Sequence, residues 1–354
     1  MPSKTLNHVR AITHTVSPRC VNRCGFCPFP NQKYRAAPSL KRWRQLLRRS
    51  RPWEPTALHL TGGEPITKDR DLLQTVRYYG YRDAIEYLQA ILTAAQDTHH
   101  GGLLASVELG EVRRADLLRL RPLIAEYVVG IVPFDPSLFG DALLWNSPTM
   151  VPPRRLDLIQ TLGQLRIPTT VRMLVGLGEC EASRIQTLAA LGEIHANRAH
   201  LQAIQIAPFR PVAGTPLETQ PAADADLIVR TVRRAAELLG PVPIQVPALE
   251  VQDFLERCVD AGAEDLGLIS IDPEQGIEPA IGHWESLEKR LEQGGHRSME
   301  RLVLTESSVA RGLYPQGMAP AIAHQLERLE NRLARGIVAP VTEPAVGDSA
   351  EASA

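Results

Sequence analysis

The sequence of 354 residues lacks the features that would assign it to several large functional classes. Its formal net charge is only -1, whereas nucleic-acid binding would need a basic face. No apolar run approaches the roughly 20 residues that cross a bilayer. The first ten residues, MPSKTLNHVR, contain no apolar stretch typical of a signal peptide. We therefore expect a cytoplasmic protein that binds neither nucleic acid nor membrane.

Cysteine is also scarce, with five residues in the whole chain. An odd number of cysteines in a reducing compartment argues against a disulfide framework, so we expect free thiols. Cys20, Cys24 and Cys27 lie close together in the stretch RCVNRCGFCPFP. Cys180 and Cys258 are far away in the sequence, and because free cysteine is often buried, both are expected to pack in the core.

No segment rich in glycine, proline or serine divides the chain. Short apolar runs alternate with longer amphipathic segments, a pattern that predicts parallel strands joined by helices. Eight candidate strands lie at 9–17, 56–62, 103–110, 127–134, 169–176, 201–209, 242–247 and 266–272. Eight such units predict an α/β fold, a (β/α)8 TIM-type barrel. A partial (β/α)6 barrel is the alternative.

The end of the chain differs from the repeating units. The stretch MAPAIAHQLERLENRLARG, at 318–336, predicts one terminal helix, and the small polar residues after it predict a disordered tail. We therefore expect a barrel domain at 1–312, a C-terminal helical segment at 313–336 and a disordered tail at 337–354. Active sites of such barrels lie at the C-terminal ends of the strands. The cysteine triplet follows the first candidate strand and is thus expected at that face.

The three clustered cysteines have the spacing C-x3-C-x2-C, and their soft thiolates favour zinc or an iron–sulfur cluster. A structural zinc site needs four ligands, and the only other candidate, His14, lies within the strand. A four-iron four-sulfur cluster held by three thiolates leaves one iron open to a substrate. A zinc-stabilised barrel without redox chemistry and a scaffold that holds a cluster without catalysis are the alternatives from other functional classes.

Two further stretches follow candidate strands. In LTGGEP, at 60–65, Gly62 and Gly63 allow a ligand to approach the backbone closely, and Glu64 offers a carboxylate to a cation. Later in the chain, a candidate strand likewise leads into a glycine-containing segment in VRMLVGLGE, at 171–179, and in IAPFRPVAGTPL, at 206–217. Taken alone, each is also compatible with an ordinary strand-to-helix turn.

The cysteine triplet, with Phe26 before its third cysteine and LTGGEP at the next strand, resembles the radical S-adenosylmethionine superfamily. The resemblance implies a 4Fe-4S cluster on Cys20, Cys24 and Cys27 that cleaves S-adenosylmethionine to a 5′-deoxyadenosyl radical, which abstracts hydrogen from a small-molecule substrate. It also implies contacts to S-adenosylmethionine from seven residues at the strand ends. These are Phe26, Thr61, Gly62, Gly63, Glu64, Gly176 and Phe209.

Several stretches resemble one group within this superfamily, the CofG component of FO (7,8-didemethyl-8-hydroxy-5-deazariboflavin) synthase. They include CVNRCGFCPF, YYGYRDAIEYLQAI, HLQAIQIAPFRPVAGTPL and GAEDLGLIS, and the similarity runs from residue 10 to residue 312. The resemblance implies an enzyme of deazaflavin cofactor biosynthesis that acts with a CofH-type partner. Its substrate would be an adduct of tyrosine with 5-amino-6-ribitylaminouracil, which is oxidised and cyclised with loss of ammonia.

The sequence departs from this group at several strand ends, where substrate contacts are expected. Ser106 and Glu108 replace a histidine and an asparagine, Arg172 replaces a glycine, and Leu249 replaces an asparagine. Glu108, Arg172 and Gln245 are therefore candidate residues of the substrate pocket. An alternative function follows, that of a CofG paralogue acting on a different small molecule in another biosynthetic pathway.

A basic segment follows the cysteine loop directly. Eight lysines and arginines lie between positions 33 and 51, namely Lys33, Arg35, Lys41, Arg42, Arg44, Arg48, Arg49 and Arg51. Such a run is often only a solvated helix face. Since positive patches attract acidic partners, it also suggests a docking surface for a flavodoxin or ferredoxin that donates electrons.

Overall fold

The computed structural model describes residues 4–97, 99, 101–139, 141–144, 146–271 and 278–334. Its main feature is a closed barrel of eight parallel strands in which each strand pairs with the next and β1 pairs with both β8 and β2. The strands are β1 Thr5–Thr15, β2 Ala57–Thr61, β3 Leu104–Glu108, β4 Glu126–Ile131, β5 Thr169–Val175, β6 Leu201–Pro208, β7 Ile244–Gln245 and β8 Asp265–Ile271. All eight overlap the predicted strands, which confirms the (β/α)8 TIM-type fold and not the six-unit alternative.

Helices connect the strands and cover the barrel. They are α1 Leu40–Arg49, α2 Arg70–Tyr78, α3 Ala84–Gln96, α4 Arg114–Leu120, α5 Asp141–Leu144, α6 Pro152–Gln164, α7 Glu181–Arg198, α8 Ala225–Leu239, α9 Leu255–Asp260, α10 Glu278–Gln293, α11 Glu306–Ala310 and α12 Ala319–Ala334. The last of these confirms the predicted terminal helix, whereas the predicted tail at 337–354 lies outside the described residues. Within the described part, none of these helices has the length and apolar character that a membrane span requires.

A ninth strand, β9 (Arg297–Glu300), was not predicted. It pairs with Thr5–His8 of β1, while β2 pairs further along the same strand at Ala11–Thr15. The long first strand thus offers one edge to two partners. Four residues that include an arginine and a glutamate do not produce a recognisable strand pattern, so only the pairing with β1 identifies this element.

Part of the barrel interior is polar, where this fold usually has packed apolar layers, although Val9, Val128 and Leu268 also line it. On β3, Ala105 and Val107 belong to the apolar core between sheet and helices, and Ser106 alternates with them toward the interior. Ser106 Oγ donates to Glu126 at 2.5 Å, and Thr170 Oγ1 donates to the other oxygen of the same carboxylate at 2.5 Å. The barrel therefore carries buried hydrogen-bonding groups along its axis.

The terminal helix α12 is fixed to the N-terminal side of the barrel by a buried ion pair. Arg332 Nη2 lies 2.9 Å from Glu300 Oε1, and both side chains are fully enclosed. Arg332 Nη1 also donates to the carbonyl oxygen of Glu54 at 3.0 Å. Removing one partner from such a pair leaves an uncompensated buried charge, so this contact holds the helix firmly in place.

The two isolated cysteines have different environments. Cys258 on α9 is fully buried, which confirms its predicted core position. The same prediction for Cys180 is wrong, since this residue is exposed where it caps the N-terminus of α7. The difference arises because Cys180 precedes the helix and lies in the connecting loop, outside the apolar face that the helix presents to the sheet.

Gly163 on α6 provides a test of the packing between this helix and the start of β6. A Cβ atom at position 163 would lie 2.6 Å from Cε1 of the His200 ring, whose Nε2 donates to the carbonyl of Ile159 at 2.9 Å. We expect Gly163→Ala to lower the free energy of unfolding by about 1–3 kcal/mol, because an extra methyl in a filled site is overpacked. Urea denaturation measures the change.

Gly192 on α7 is the matched control, because a Cβ there would meet Leu239 Cδ2 at an ordinary 3.6 Å. Gly192→Ala should raise the free energy of unfolding by up to about 1 kcal/mol through helix propensity alone. If both substitutions stabilise the protein, the His200 ring does not restrict position 163 in the way described.

Candidate active site

The cysteine loop lies at the C-terminal mouth of the barrel, directly after β1. Cys24 is buried, whereas Cys20 and Cys27 are half-buried, and the Cys27 amide donates to the Cys24 carbonyl at 3.0 Å. Other strand-end loops hold this segment through Gly25, whose amide donates to the carbonyl of Leu143 at 2.8 Å. The local backbone therefore fixes the three thiols at the face where the sequence predicts the site.

The three thiols supply the soft donors that a metal cluster requires. Burial raises the pKa of each, and that of Cys24 to about 12. Iron binds thiolates, so cluster binding would release these protons. No group of three or more His, Cys, Asp or Glu side chains in the described residues is arranged to hold one ion. Cysteine thiolates are the ligands of 4Fe-4S clusters, so Cys20, Cys24 and Cys27 are the residues that would hold one here.

Glu64 from the LTGGEP stretch is buried and joins four segments of the chain. Its carboxylate forms a two-point ion pair with Arg155 of α6, in which Nη1 lies 3.1 Å from Oε2 and Nη2 contacts Oε1. Asn22 Nδ2 donates to Oε1 at 2.8 Å, and the Glu111 amide donates to Oε2 at 2.6 Å. The carboxylate predicted to meet a ligand cation therefore already accepts hydrogen bonds from the protein.

Two glycines allow these loops to approach one another. A Cβ on Gly63 would lie 2.2 Å from the carbonyl oxygen of Arg19 and 2.9 Å from Cys20 Cβ. Gly110, which follows β3 with a φ of +63°, would carry its Cβ only 2.1 Å from Glu64 Oε2. Any side chain at either position would displace backbone or the buried carboxylate. The cysteine loop and the GGEP loop are consequently in direct contact.

Apolar residues form one wall of the mouth. Phe209, at the end of β6, packs in a buried cluster with Cys24 and Leu177, and Phe26 lies against the same cluster. Gly176, after β5, has a φ of +98° and approaches Ala223 so closely that a Cβ would lie 2.4 Å away. Phe26, Gly176 and Phe209, which the sequence predicts as cofactor contacts, are therefore brought to the same region as the cysteines.

The three substrate-pocket candidates lie on the inner wall of the barrel. Arg172 Nη1 lies 2.9 Å from Glu108 Oε2, and Arg172 Nε donates to Gln205 Oε1 at 2.6 Å. Gln245 on β7 is buried and lines the same interior space as Arg172 and Gln205. The sequence identified these residues separately, whereas the barrel joins Glu108 and Arg172 in one ion pair.

The ion pair with Arg172 determines the ionisation of Glu108. Burial by itself raises the pKa of Glu108, but the Arg172 guanidinium and the neighbouring His59 outweigh it and bring this pKa to about 2. Glu108 is therefore ionised at neutral pH. Its side chain is 21% exposed and that of Arg172 is 36% exposed, so the pair faces the pocket and is accessible to a substrate.

Sequence reasoning missed three residues that the structure brings to the site. Asn22 lies inside the cysteine motif, where it accepts from the Thr149 amide at 3.1 Å while it donates to Glu64. Arg155 lies on a helix far along the chain and carries no local signal of its role. His59, two positions before Thr61, could have been noticed only as a polar residue within an otherwise apolar strand.

Comparison with known proteins finds relatives that share one name. The chain is 27% identical over 322 residues to the 7,8-didemethyl-8-hydroxy-5-deazariboflavin synthase of Archaeoglobus fulgidus, a match that covers 90% of this chain and 96% of the relative. It is 29% identical over 255 residues to the enzyme of the same name from Methanosarcina barkeri, covering 71% of this chain and 76% of that one. The chain is thus similar to these synthases along most of its length.

Solved structures share the fold. The [FeFe]-hydrogenase maturase HydG superposes with a TM-score of 0.67 at 15% identity, covering 91% of this chain and 70% of that protein. Methylornithine synthase (PylB) gives a TM-score of 0.62 at 18% identity and covers 88% of this chain and 86% of its own. At these identities the likeness supports the architecture alone.

The family model is the decisive comparison. The model of the radical SAM superfamily matches residues 15–191, which is half of the chain and includes the cysteine loop, the GGEP stretch and the ion pair of the pocket. These are the elements that the geometry brings together at the barrel mouth. The chain therefore belongs to the radical SAM superfamily, as the cysteine spacing had indicated.

Proposed function

We propose that this radical SAM enzyme holds a 4Fe-4S cluster on Cys20, Cys24 and Cys27 and cleaves S-adenosylmethionine beside it. The observation that carries the proposal is the direct contact between the cysteine loop and the GGEP loop at the barrel mouth. Cys20, Cys24 and Cys27 would hold the cluster, whose chemistry would be one-electron reduction of S-adenosylmethionine to methionine and a 5′-deoxyadenosyl radical that takes hydrogen from the substrate. The protein positions the reactants and excludes water.

The chain's own residues have distinct tasks in this proposal. The apolar wall that contains Phe26 and Phe209 shields the reacting atoms from solvent. Thr61, Gly62 and Gly63 present backbone and hydroxyl groups to the methionine part of S-adenosylmethionine. Since the Glu64 carboxylate already accepts from Arg155 and Asn22, its main role is to position these loops, with a ligand contact as the alternative role.

For the substrate, we propose a CofG-like reaction in deazaflavin synthesis. Its substrate would be the tyrosine adduct of 5-amino-6-ribitylaminouracil, supplied with a CofH-type partner enzyme. Support comes from the synthases to which the chain is similar over most of its length. The radical would abstract hydrogen from this adduct in the pocket that Glu108, Arg172 and Gln245 line.

The Glu108–Arg172 ion pair favours a second candidate, a paralogue that acts on a different small molecule. A site loses strongly when a hydrogen-bonding group on which it relies is replaced. Here the pair occupies positions where the CofG resemblance implies asparagine and glycine, and an exposed Leu249 replaces another asparagine. Arg172, whose planar fork suits carboxylate or phosphate, would then bind an anionic group of that other substrate.

A flavodoxin or ferredoxin is the proposed electron donor. The apolar residues of α1, including Trp43 and Leu46, are buried, while Arg44, Arg48 and Arg49 are exposed on the helix. The helix follows the cysteine loop in the chain, and exposed Lys33 and Arg35 lie between them. An acidic partner would be attracted to this basic face near the cluster loop.

Anaerobic reconstitution tests the cluster. The wild-type protein should become brown with four irons per chain, and with dithionite and S-adenosylmethionine it should form 5′-deoxyadenosine. Cys24→Ala should abolish both results, while Cys258→Ala, a buried cysteine away from the site, should preserve them. A colourless protein with stoichiometric zinc supports the zinc alternative, and a brown protein that forms no 5′-deoxyadenosine supports the scaffold.

An assay with a CofH partner, tyrosine and 5-amino-6-ribitylaminouracil tests the substrate. Deazaflavin fluorescence is the expected result for a CofG-like enzyme. Formation of 5′-deoxyadenosine without fluorescence would instead favour the paralogue.

Glu64→Gln tests the positioning role of this carboxylate. Because it leaves Arg155 buried without its counter-charge, we expect a loss of about 3–5 kcal/mol in unfolding free energy and a lower iron content. Glu111→Gln is the control, since its ion pair with Arg154 is half-exposed and contributes little. Full stability and full iron with weaker binding of S-adenosylmethionine would show that Glu64 acts only as a ligand contact.

The triple charge reversal of Arg44, Arg48 and Arg49 to glutamate tests the docking surface. Reduction of the cluster by flavodoxin should slow and lose most of its dependence on salt, because electrostatic steering is removed. Reduction by dithionite, which needs no docking, should be unchanged. An unaltered rate with flavodoxin would show that these basic residues of α1 form only an ordinary solvated helix face.

A further inference from the structure

A cavity of about 420 Å³ lies at the N-terminal face of the barrel, opposite the cysteine loop. Asn7, Leu201 and Asp265, which line it, all lie near the beginning of their strands. Active sites of this fold lie at the other face, so this N-terminal cavity is separate from the mouth. Its volume is within the range of roughly 300–1,000 Å³ that is typical of ligand sites.

Apolar side chains form most of the wall of the N-terminal cavity. Leu201, Leu302 and Leu304 are buried there, and the half-buried Met299 and Leu326 extend the same surface. Ligand sites are commonly lined in this way, with a few polar groups that fix the orientation of the ligand. Because a methionine thioether makes favourable contacts with aromatic rings, the wall suits the face of a planar ring.

The charged groups at the floor of the N-terminal cavity are already paired within the protein. Arg301 Nε lies 2.5 Å from Asp265 Oδ2. The buried Glu300 contacts Arg332 at 2.9 Å through one oxygen and Arg10 at 3.2 Å through the other. A buried charge is stable only when its partners are present, and these charges have theirs. The floor of the cavity therefore favours an uncharged ligand.

Two buried polar atoms of the lining lack a hydrogen-bond partner among the described residues, namely Asn7 Oδ1 and His195 Nδ1. Leaving such atoms unpaired is unfavourable, so each calls for a partner from outside the chain. Burial, and to a lesser degree the charge of Arg311, lowers the pKa of His195, so its ring is neutral at neutral pH. The free hydrogen-bonding groups of the cavity are thus an uncharged amide and an uncharged imidazole.

The chemistry of the Asn7 side chain narrows the class of ligand. Its carbonyl oxygen needs an N–H donor, while its NH₂ group donates to an acceptor. A planar heterocycle that carries an N–H next to a carbonyl satisfies both at once. Asparagine and glutamine recognise adenine through the same kind of two-point pairing. A hydrocarbon would leave Asn7 Oδ1 unpaired, and a carboxylate, which only accepts, would repel it.

We propose that the N-terminal cavity binds an uncharged planar nitrogen heterocycle whose adjacent N–H and C=O groups pair with the Asn7 amide. His195 adds a hydrogen bond from α7, and the ring lies against the apolar wall. The ligand binds at the face opposite the cysteine loop, so it is not the substrate of the radical reaction. The site is therefore a second one, independent of the function proposed for the barrel mouth.

Quinazoline-2,4-dione, a bicyclic ring with adjacent N–H and C=O groups, is the probe. Its 1,3-dimethyl derivative keeps the ring and both carbonyls but has no N–H donor. In isothermal titration calorimetry with the full chain, the dione should bind about 10-fold or more tightly than the dimethyl compound, because only the dione can donate to Asn7 Oδ1. Equal affinities of the two compounds, or no binding of either, would overturn the proposal.

Asn7→Leu assigns the preference to this cavity, since it removes the amide and should abolish the difference between the two compounds. Gln245→Leu is the matched control, because it removes a buried side-chain amide from the interior near the mouth. It should retain the wild-type affinity for the dione. If Gln245→Leu weakens binding and Asn7→Leu does not, the dione binds in the substrate pocket and the proposal is wrong.

Two further measurements do not depend on the folding of Asn7→Leu. Val309→Trp fills the cavity from α11 and should prevent binding of the dione. A crystal structure of the wild-type complex should show the ring in the N-terminal cavity, with a ring nitrogen about 3 Å from Asn7 Oδ1. A ring bound at the barrel mouth, or only water beside Asn7 and His195, would contradict the proposal.

Discussion

Glu64 and Arg155 form the buried ion pair on which the geometry of the barrel mouth depends. Through Arg155, Asn22 and the Glu111 amide, one carboxylate connects α6 with the loops after β1, β2 and β3. Such a charge is stable in the interior only when all of its partners are present. The cysteine loop therefore has a defined position because the carboxylate requires it, and Gly63 and Gly110 make the required approach possible.

The same principle extends down the axis of the barrel. Where most barrels of this type fill their interior with branched apolar residues, this one carries Glu108, Glu126 and Arg172 with hydrogen-bonding partners. Each acid is matched by donors from a different strand, so the register of the closed sheet sets their distances. The site thus combines a cysteine face typical of the superfamily with an inner wall whose charged residues differ from those that the CofG resemblance implies.

The sequence predicted the eight strands, the terminal helix and the cysteine face, because these depend on local periodicity and on residue spacing. It also selected Glu108 and Arg172 one at a time from their positions at strand ends. It could not show that they pair, that His59 lies beside them, or that Arg155 neutralises Glu64. Those relations join residues about 50 to 90 positions apart and depend on barrel closure.

What the sequence determined by itself was the superfamily: three thiols at C-x3-C-x2-C after a strand, with GGEP after the next one. Residue type and spacing suffice for this, because the three thiols lie on one short loop. Only the tertiary structure decided which partner each charged side chain has. Whether a carboxylate meets a ligand, an arginine or a histidine depends on which strands are neighbours, and only the closed sheet determines that.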